Sequence, residues 1–210
     1  MRVLRDRLSL ADRVYETLRN DLKSGFYLPG DRIEASVAAV RCHTSVSPVR
    51  SGLLRLSGER LVELHAHGGF SVPHLTEVGL REQFEWNHHL VVMALHWPTF
   101  APGRSDDTRD RATSDTVRLI ETLLQHIGRR TPNLDLRREL ANSNVRLHRS
   151  REIEVELLQD LTMEAPEALK AWRAGDVDRV MRFFQTKHTR RRALIPQIIE
   201  RLHPSNGSEA

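Results

Sequence analysis

Residues 45–50 (SVSPVR) have the side-chain types needed to hold a phosphate at the start of a helix. The hydroxyls of Ser45 and Ser47, together with first-turn backbone amides, could bind a phosphate at the positive end of the helix dipole. Pro48 suits a first turn, where its missing N–H has no helical partner. One turn in, Arg50 could donate paired hydrogen bonds to guanine or phosphate. The alternative is that Ser45 only caps the helix and Arg50 is a solvated surface charge.

A second group of candidate contacts surrounds a glycine pair. His67 and Gly69 belong to a predicted turn between two apolar strands, where glycine can adopt a positive φ. An imidazole beside a phosphate tends to be protonated, so this turn could approach a nucleic-acid backbone; the alternative is an ordinary turn with exposed histidines. Arg32 and Arg41 are further candidate backbone contacts, with solvated surface charge as the alternative for each.

The elements that position these residues follow from capping signals and apolar periodicity. Ser9 is a helix cap for a run in which apolar residues recur every four positions, and Gly25 ends it. Residues 28–33 are predicted as a turn with one apolar anchor, followed by a short helix over about 34–41. A third helix spans about 45–57, and two strands follow. The short helix offers Val37, Ala38 and Val40 as possible core contacts, and one face of the third helix carries Val49, Leu53 and Leu56. In the two strands Val62, Leu64, Phe70 and Val72 alternate at strand period. This order predicts a winged helix-turn-helix.

The remainder of the chain consists of long helical patterns interrupted by prolines. Helices are predicted over about 76–97 and 106–128, then one long or kinked helix over 136–158. A short helix over 164–175 and a final one capped by Asp176 complete the chain. We therefore expect a mainly α protein: an N-terminal winged helix-turn-helix with a small β-hairpin over residues 1–75, and an antiparallel α-helical bundle over 76–210.

Composition excludes several classes of protein. The 210 residues carry 32 Lys+Arg and 28 Asp+Glu, and the basic excess lies mainly in residues 1–75, with 11 against 8. Neither disorder nor collagen fits this composition. No apolar run reaches the roughly 18 to 20 residues of a membrane span, and no signal peptide is recognisable, so a cytoplasmic protein without membrane partners is expected. Cys42 is the single cysteine, which excludes an internal disulfide and a thiolate zinc cage.

The first third of the chain resembles the DNA-binding domain of GntR-family transcription regulators. The resemblance extends over about residues 8–73 and is carried by 14–18 (VYETL), 24–33 (SGFYLPGDRI), 45–50 (SVSPVR) and 69–72 (GFSV). The helical remainder resembles the ligand-sensing domain of the FadR-like subfamily. This implies a cytoplasmic transcription regulator, a repressor, that binds a palindromic operator in double-stranded DNA as a homodimer and responds to a small-molecule effector.

The chain departs from the family pattern at several positions of the DNA-binding domain. Val46 stands where an arginine is usual, so one of the two usual guanidinium groups is absent. Val46 could instead contact a thymine methyl. His43 and Arg60 stand where glycine is usual, and Gly52 lies inside the third helix, where glycine costs about 1 kcal/mol relative to alanine. The resemblance therefore implies DNA binding with a different operator.

FadR-like relatives that bind metal use an aspartate and three histidines inside the bundle. The resemblance places these positions on Thr122, His126, Ala165 and Lys187. Asn144 and His148 have the same four-residue spacing but leave too little chain for the next helix. The inherited metal ligands are therefore at most His126 and His188, with Glu121 as an oxygen ligand. Such a site would favour zinc or nickel weakly, and no cofactor is required.

A small-molecule cavity is also expected in the bundle without metal. Its candidate effector-binding residues are Asn87, His88, Arg118, His126 and His188, and organic acids are common effectors in the resembled group. Two other classes of function remain open. An enzyme is disfavoured because no nucleophile and base spacing and no phosphate-binding glycine loop is recognisable. The third class is a winged-helix module that binds protein in place of DNA.

Overall fold

The computed structural model describes residues 9–97 and 115–203, and the chain divides into two compact units after Leu75. The second predicted helix of the bundle was expected to start near Asp106, and its residues 106–114 lie outside the described residues. None of the described helices combines the length and the apolar character needed to span a membrane.

The first unit has three helices and three short strands. In chain order they are α1 (Leu10–Lys23), β1 (Arg32–Ile33), α2 (Ala35–Arg41), α3 (Val46–Gly58), β2 (Glu63–Leu64) and β3 (Phe70–Ser71). Helix, strand, helix, helix and a terminal hairpin is the order of a winged helix-turn-helix, so the predicted fold class is confirmed for this unit.

Helix α1 begins with the predicted cap. The Ser9 hydroxyl oxygen accepts a hydrogen bond from the Asp12 amide at 3.1 Å and donates to the Asp12 carboxylate at 2.7 Å. The first of these bonds satisfies a first-turn amide that has no partner within the helix, and the second holds the two side chains together. The face carrying Val14 and Leu18 is buried, and it lies against α3.

The contact between α1 and α3 explains a glycine that sequence analysis described only as a cost. Gly52 is buried, and a Cβ added there would lie 3.2 Å from Leu18 Cδ1 and 3.6 Å from Tyr15 Cα. The small residue lets the two helices approach closely. The opposite side of α3 stays exposed, while Val49, Leu53 and Leu56 are completely buried, as the helical periodicity predicted.

The sheet has a third strand that the sequence did not predict. Its order is β1-β3-β2, and both pairs are antiparallel, with Ile33 opposite Phe70 and Leu64 opposite Phe70 on its other side. Sequence analysis assigned residues 28–33 to a turn, because two residues are too few to show an alternating pattern. Strand β1 ties the chain between α1 and α2 to the hairpin.

Two of the three apolar residues of α2 that were possible core contacts are exposed, and so is one apolar residue of the hairpin. Val37 and Val40 lie on the outer face of α2, and Leu64 lies on the exposed strand β2. The buried face of α2 is formed instead by Ala38 and Ala39. Small residues there allow α2 to pack closely on α3, so the helix presents its larger side chains to solvent.

The three helices of the first unit end in the same way. After each C-cap comes a residue with positive φ: Gly25 at 73°, His43 at 50° and Arg60 at 58°. In each case the amide of that residue and the next amide donate to carbonyls three and five residues earlier, which is the Schellman arrangement. Two of the three helices therefore place a side chain where glycine is usual.

The second unit is a bundle of seven described helices. They are α4 (Glu77–Leu95), α5 (Thr116–Arg130), α6 (Leu134–Arg146), α7 (His148–Leu157), α8 (Leu161–Ala174), α9 (Val177–Arg192) and α10 (Ile195–Leu202). The long helix predicted over 136–158 is interrupted at Leu147, in agreement with the kinked alternative. The final predicted helix is divided between α9 and α10. Helices α4, α5, α8 and α9 enclose most of the apolar core around Trp172.

Candidate functional site

The amino-terminal end of α3 is open to solvent. Ser45, Val46, Ser47 and Arg50 are all exposed, whereas Val49 on the same turn is completely buried. No acidic residue lies in the first turn of α3, so its positive dipole end is not neutralised there. Arg50 makes no ion pair with any described residue. The guanidinium and the first-turn amides are therefore accessible to an anionic polymer.

Ser45 occupies the N-cap position but does not cap in the expected manner. Its backbone is extended, with φ −79° and ψ 168°, and its hydroxyl accepts no hydrogen bond from the α3 amides. Sequence analysis expected a capping bond here, so that detail was wrong. The consequence is that both the hydroxyl and the first amides of α3 can contact a phosphate oxygen.

The turn between β2 and β3 carries two exposed candidate residues. His67 and Gly69 are exposed, and Gly68 and Gly69 have φ values of 84° and 91°, as predicted for a glycine turn. His65 Nε2 lies 2.9 Å from the Ser71 hydroxyl, which fixes that ring against β3. Arg32, also exposed, lies on β1 opposite Ser71. The tip of the turn is free of large side chains apart from the histidines.

Arg41 is engaged inside the first unit. Its Nε and Nη2 donate to the two carboxylate oxygens of Asp21, each at 2.8 Å, and its guanidinium carbon lies 3.7 Å from the centre of the Phe26 ring. The carboxylate of Asp21 raises the pKa of Arg41. Arg41 is therefore exposed, as the alternative reading expected, but it is paired, and the bidentate pair joins α2 to the end of α1.

Two of the five candidate effector residues, Arg118 and Asn87, are engaged by other side chains. Arg118 is exposed and pairs with Asp115 at 3.2 Å on its own helix, so its prediction as an inward anchor was wrong. Asn87 is buried, but its amide donates to the Ser143 hydroxyl at 3.0 Å and joins α4 to α6. His88 stacks on His188, with ring centres 4.2 Å apart.

The predicted metal ligands do not converge. Within residues 9–97 and 115–203, no group of three or more His, Cys, Asp or Glu side chains is arranged to hold a metal ion. The ring centre of His126 lies 6.4 Å from that of Trp172, and His188 stacks on His88. Glu121 accepts from Arg151 at 2.9 Å. The residues present therefore do not fit the zinc or nickel that the resemblance allows.

The polar groups that do converge in the bundle are ionic. Five charged side chains from α5, α7 and α9 are buried near one another, and we call them the buried charge cluster: Glu121, Arg151, Glu154, Lys187 and Arg191. The Lys187 ammonium donates to Glu154 Oε2 at 2.5 Å. Arg191 Nη2 donates to the Phe84 carbonyl oxygen at 2.6 Å. Charged side chains are rarely buried unless they are paired, and buried groups of this kind occur both at functional sites and in structural ion-pair networks.

Burial perturbs the ionisation of the cluster and of its neighbours. It lowers the pKa of Lys187 to about 7, partly offset by the Glu154 carboxylate, and lowers the pKa of Arg191 to about 10. Burial and then the Arg191 charge lower the pKa of His188 to about 4, and burial also lowers that of His88. The two stacked imidazoles are therefore neutral at pH 7.

Sequence analysis missed the buried charge cluster, although a signal was present. Lys187 and Arg191 continue the helical spacing of Val180 and Phe184, and Arg151 and Glu154 continue that of Leu147. Charged residues at successive core positions of an amphipathic helix interrupt the apolar stripe. Four of the five residues of the cluster, all except Glu121, could therefore be predicted as charges on the apolar face of a helix.

Comparison with known proteins supports the assignment of the first unit. Residues 10–72 match the family model described as bacterial regulatory proteins, gntR family. No curated protein sequence matches the chain significantly. Among solved structures, E. coli McbR/YncC aligns with a TM-score of 0.63 and 21% identity over 90% of this chain and 98% of that chain. A GntR transcriptional regulator from Rhodococcus sp. RHA1 aligns with a TM-score of 0.62 and 17% identity over 89% and 97%.

The sequence match and the structural likeness carry different information. The family model covers the described winged helix-turn-helix from α1 to the end of β3, including the exposed start of α3. The structural alignments extend over both units, and at this identity they show a shared fold. The chain therefore carries a DNA-binding domain of the gntR family of bacterial transcription regulators.

Proposed function

We propose that this chain is a one-component repressor: a homodimer that occupies a palindromic operator and releases it in response to a small organic acid sensed by the helical unit. The observation that supports it best is the exposed start of α3. Residues 45–47 and Arg50 face solvent, while Val49 and Leu53 anchor the same helix in the core. Such a helix can enter the major groove without disturbing the fold.

Each exposed residue has a distinct role in this proposal. Arg50 donates a pair of hydrogen bonds to guanine, and Val46 contacts a thymine methyl. Ser45 and Ser47 hold a phosphate at the start of α3. His67 and Gly69 in the turn, together with Arg32 on β1, contact the flanking backbone. Backbone contacts of this kind position the protein, whereas Arg50 and Val46 supply the sequence preference.

An exposed apolar stripe on α4 supports dimerisation through the helical unit. Val78, Trp86 and Met93 recur every seven or eight residues and are all exposed, with Trp86 46% exposed. Residues at this spacing share one helix face, and large apolar side chains on one exposed face are typical of interaction surfaces. Pairing two winged helices on one duplex raises the overall affinity through effective concentration.

The described site favours binding over catalysis. The exposed groups of α3 offer hydrogen-bond donors and one cation, and no base is placed within reach of a nucleophile among them. A regulator of this kind acts on the chromosome and so belongs in the cytoplasm.

Selection of bound duplexes from a random pool, followed by fluorescence anisotropy on the consensus, tests the DNA-binding proposal. We expect a palindromic consensus and affinity that falls steeply with added salt. Arg50→Ala should weaken binding by about 5- to 150-fold, equivalent to roughly 1–3 kcal/mol. Arg118→Ala removes another exposed arginine, this one from the helical unit, and serves as the control.

Two outcomes would contradict the DNA-binding part of this proposal. One is a pool from which no sequence is enriched at low salt, which would favour the protein-binding alternative. The other is an equal loss of affinity in the Arg50 and Arg118 variants, which would mean that α3 has no specific part in binding. Release of the consensus duplex on adding an organic acid supports the repressor model, whereas tighter binding contradicts it.

A further inference from the structure

The solvent-facing side of α3 carries a narrow stripe of three side chains. Val46, Arg50 and Leu54 are spaced by four residues, and since each residue turns a helix by about 100°, they fall within an arc of about 80°. All three are exposed, Val46 by 41% and Leu54 by 50%. Gly58, four residues further on, adds no side chain to the stripe. The guanidinium of Arg50 is therefore flanked on both sides by an aliphatic side chain.

The polar side chains of α3 restrict the bases that it can distinguish. Residues 46–58 (VSPVRSGLLRLSG) contain no Asn or Gln, the side chains that pair with adenine, and no Asp or Glu, which accept a hydrogen bond from cytosine. The second arginine of the helix, Arg55, pairs with Asp12 at 3.3 Å and lies 3.7 Å from the centre of the Tyr15 ring. Arg50 is thus the guanidinium of α3 that remains available to guanine, and serine hydroxyls bond to more than one base.

For a helix of this composition, an A·T pair is marked by the C5-methyl group of thymine. That methyl group faces the major groove and is recognised by apolar contact. Val46 and Leu54 are the large aliphatic side chains of α3 that reach solvent, because the others are buried. A single exposed leucine is ordinary on a protein surface. What distinguishes Leu54 is its position one turn from Arg50 on the same stripe.

We propose that α3 reads C5-methyl groups with Val46 and Leu54, one on each side of the guanine bound by Arg50, and that it accepts 5-methylcytosine in place of thymine. Leu54 is then a specificity-determining residue. Four residues of helix span about 6 Å and a base-pair step about 3.4 Å, so each methyl group is expected about two base pairs from the guanine. This inference rests on the proposed DNA-binding function and names the chemical group that the site selects.

Thymine and 5-methylcytosine present the same methyl group to the major groove. They differ at C4, where thymine has a carbonyl oxygen and 5-methylcytosine has an amino group. An aliphatic side chain forms no hydrogen bond with either group, so Val46 and Leu54 do not distinguish the two bases. Methylation of a cytosine at either position is therefore expected to strengthen binding.

Replacement of thymine by deoxyuridine is the first experiment, because it removes the methyl group and keeps every hydrogen-bonding group of the base. The probe is the consensus duplex selected from the random pool, with deoxyuridine at one position at a time in both half-sites. Fluorescence anisotropy should show two positions per half-site, one on each side of the guanine, where the Kd rises about fourfold for each methyl group removed. A consensus without A·T pairs beside the guanine, or deoxyuridine duplexes that bind as tightly as the thymine duplex, would overturn the proposal.

Alanine variants assign the two positions. Leu54→Ala should bind the thymine and deoxyuridine duplexes equally at one position and keep the thymine preference at the other, and Val46→Ala should do the reverse. Leu10→Ala truncates a leucine of similar exposure, 47%, at the start of α1 and is the matched control, which should keep both preferences. A Leu54 variant that retains both thymine preferences in full has lost no methyl contact, and that result refutes the role of Leu54.

Methylated duplexes test the acceptance of 5-methylcytosine. The T·A pair at the position assigned to Leu54 is replaced by C·G, with and without a methyl group on the cytosine. The methylated duplex should bind about fourfold more tightly for each methyl group, and equal affinity of the two duplexes refutes this part of the proposal.

The same measurements separate this inference from the proposed function. A consensus duplex whose binding requires Arg50 but is insensitive to deoxyuridine refutes the methyl contacts and leaves the DNA-binding proposal intact. A random pool from which no sequence is enriched refutes both.

Discussion

His43→Gly and Arg60→Gly are each expected to stabilise the first unit. Both residues have positive φ in a Schellman ending, where the Cβ of an L-residue crowds the backbone at a cost of roughly 1–2 kcal/mol. Glycine removes this cost but loses roughly 0.5–1 kcal/mol more conformational entropy on folding. The net expectation is about 0.5–1 kcal/mol of added stability per substitution. Gly25, in the same arrangement at the end of α1, shows the glycine form of the motif within this unit.

Hydrogen exchange of amides in α3 is the appropriate assay. All three tryptophans lie after residue 75, so tryptophan fluorescence reports the other unit. Slowing of exchange by about 2- to 5-fold in α3 corresponds to the expected gain, since 1.4 kcal/mol is a factor of ten. Ser51→Gly is the control: it introduces glycine at an exposed helical position of α3 and should cost a few tenths of a kcal/mol. Unchanged or faster exchange in both His43→Gly and Arg60→Gly would refute the argument from backbone strain.

Three further predictions concern other parts of the chain. Gly30→Ala should destabilise the first unit by at least about 1 kcal/mol, because Gly30 has φ 90° and an added Cβ would collide with the His74 ring. Urea unfolding followed by circular dichroism measures this loss, and wild-type stability in the variant would contradict it. Trp86→Glu should shift the proposed dimer towards monomer in analytical ultracentrifugation, and an unchanged mass would remove α4 as the interface. The pKa of His188 is about 4 in the folded chain and about 6.5 in the unfolded chain. As the pH falls through this window, the unfolded chain binds a proton at His188 that the folded chain does not bind. The free energy of unfolding therefore decreases as the pH falls from about 6.5 to about 4. His188→Gln should reduce this loss in urea midpoints measured across that pH range, and an identical pH profile would count against it.

The elements that position α3 could be predicted from the sequence, because each of them is specified by residues close together in the chain. The Ser9 cap, the four-residue periodicity of α1 and the glycine turn at 68–69 all act within a few positions of one another. Strand β1 escaped prediction since Arg32 and Ile33 are held by pairing with β3, nearly 40 residues later in the chain. The exposure of Val37 and Val40 likewise depends on how closely α2 approaches α3.

The sequence by itself determined the order of helices and strands, the division near residue 75 and the exposed composition of the start of α3. Those properties follow from periodicity, capping and turn chemistry, which are local. Tertiary structure alone decided which charges in the bundle meet. Glu154 and Lys187 are 33 residues apart in the chain, and the carbonyl that binds Arg191 is 107 residues away from it. Helix packing sets such contacts, and with them the formation of the buried charge cluster in the bundle where metal ligands were expected.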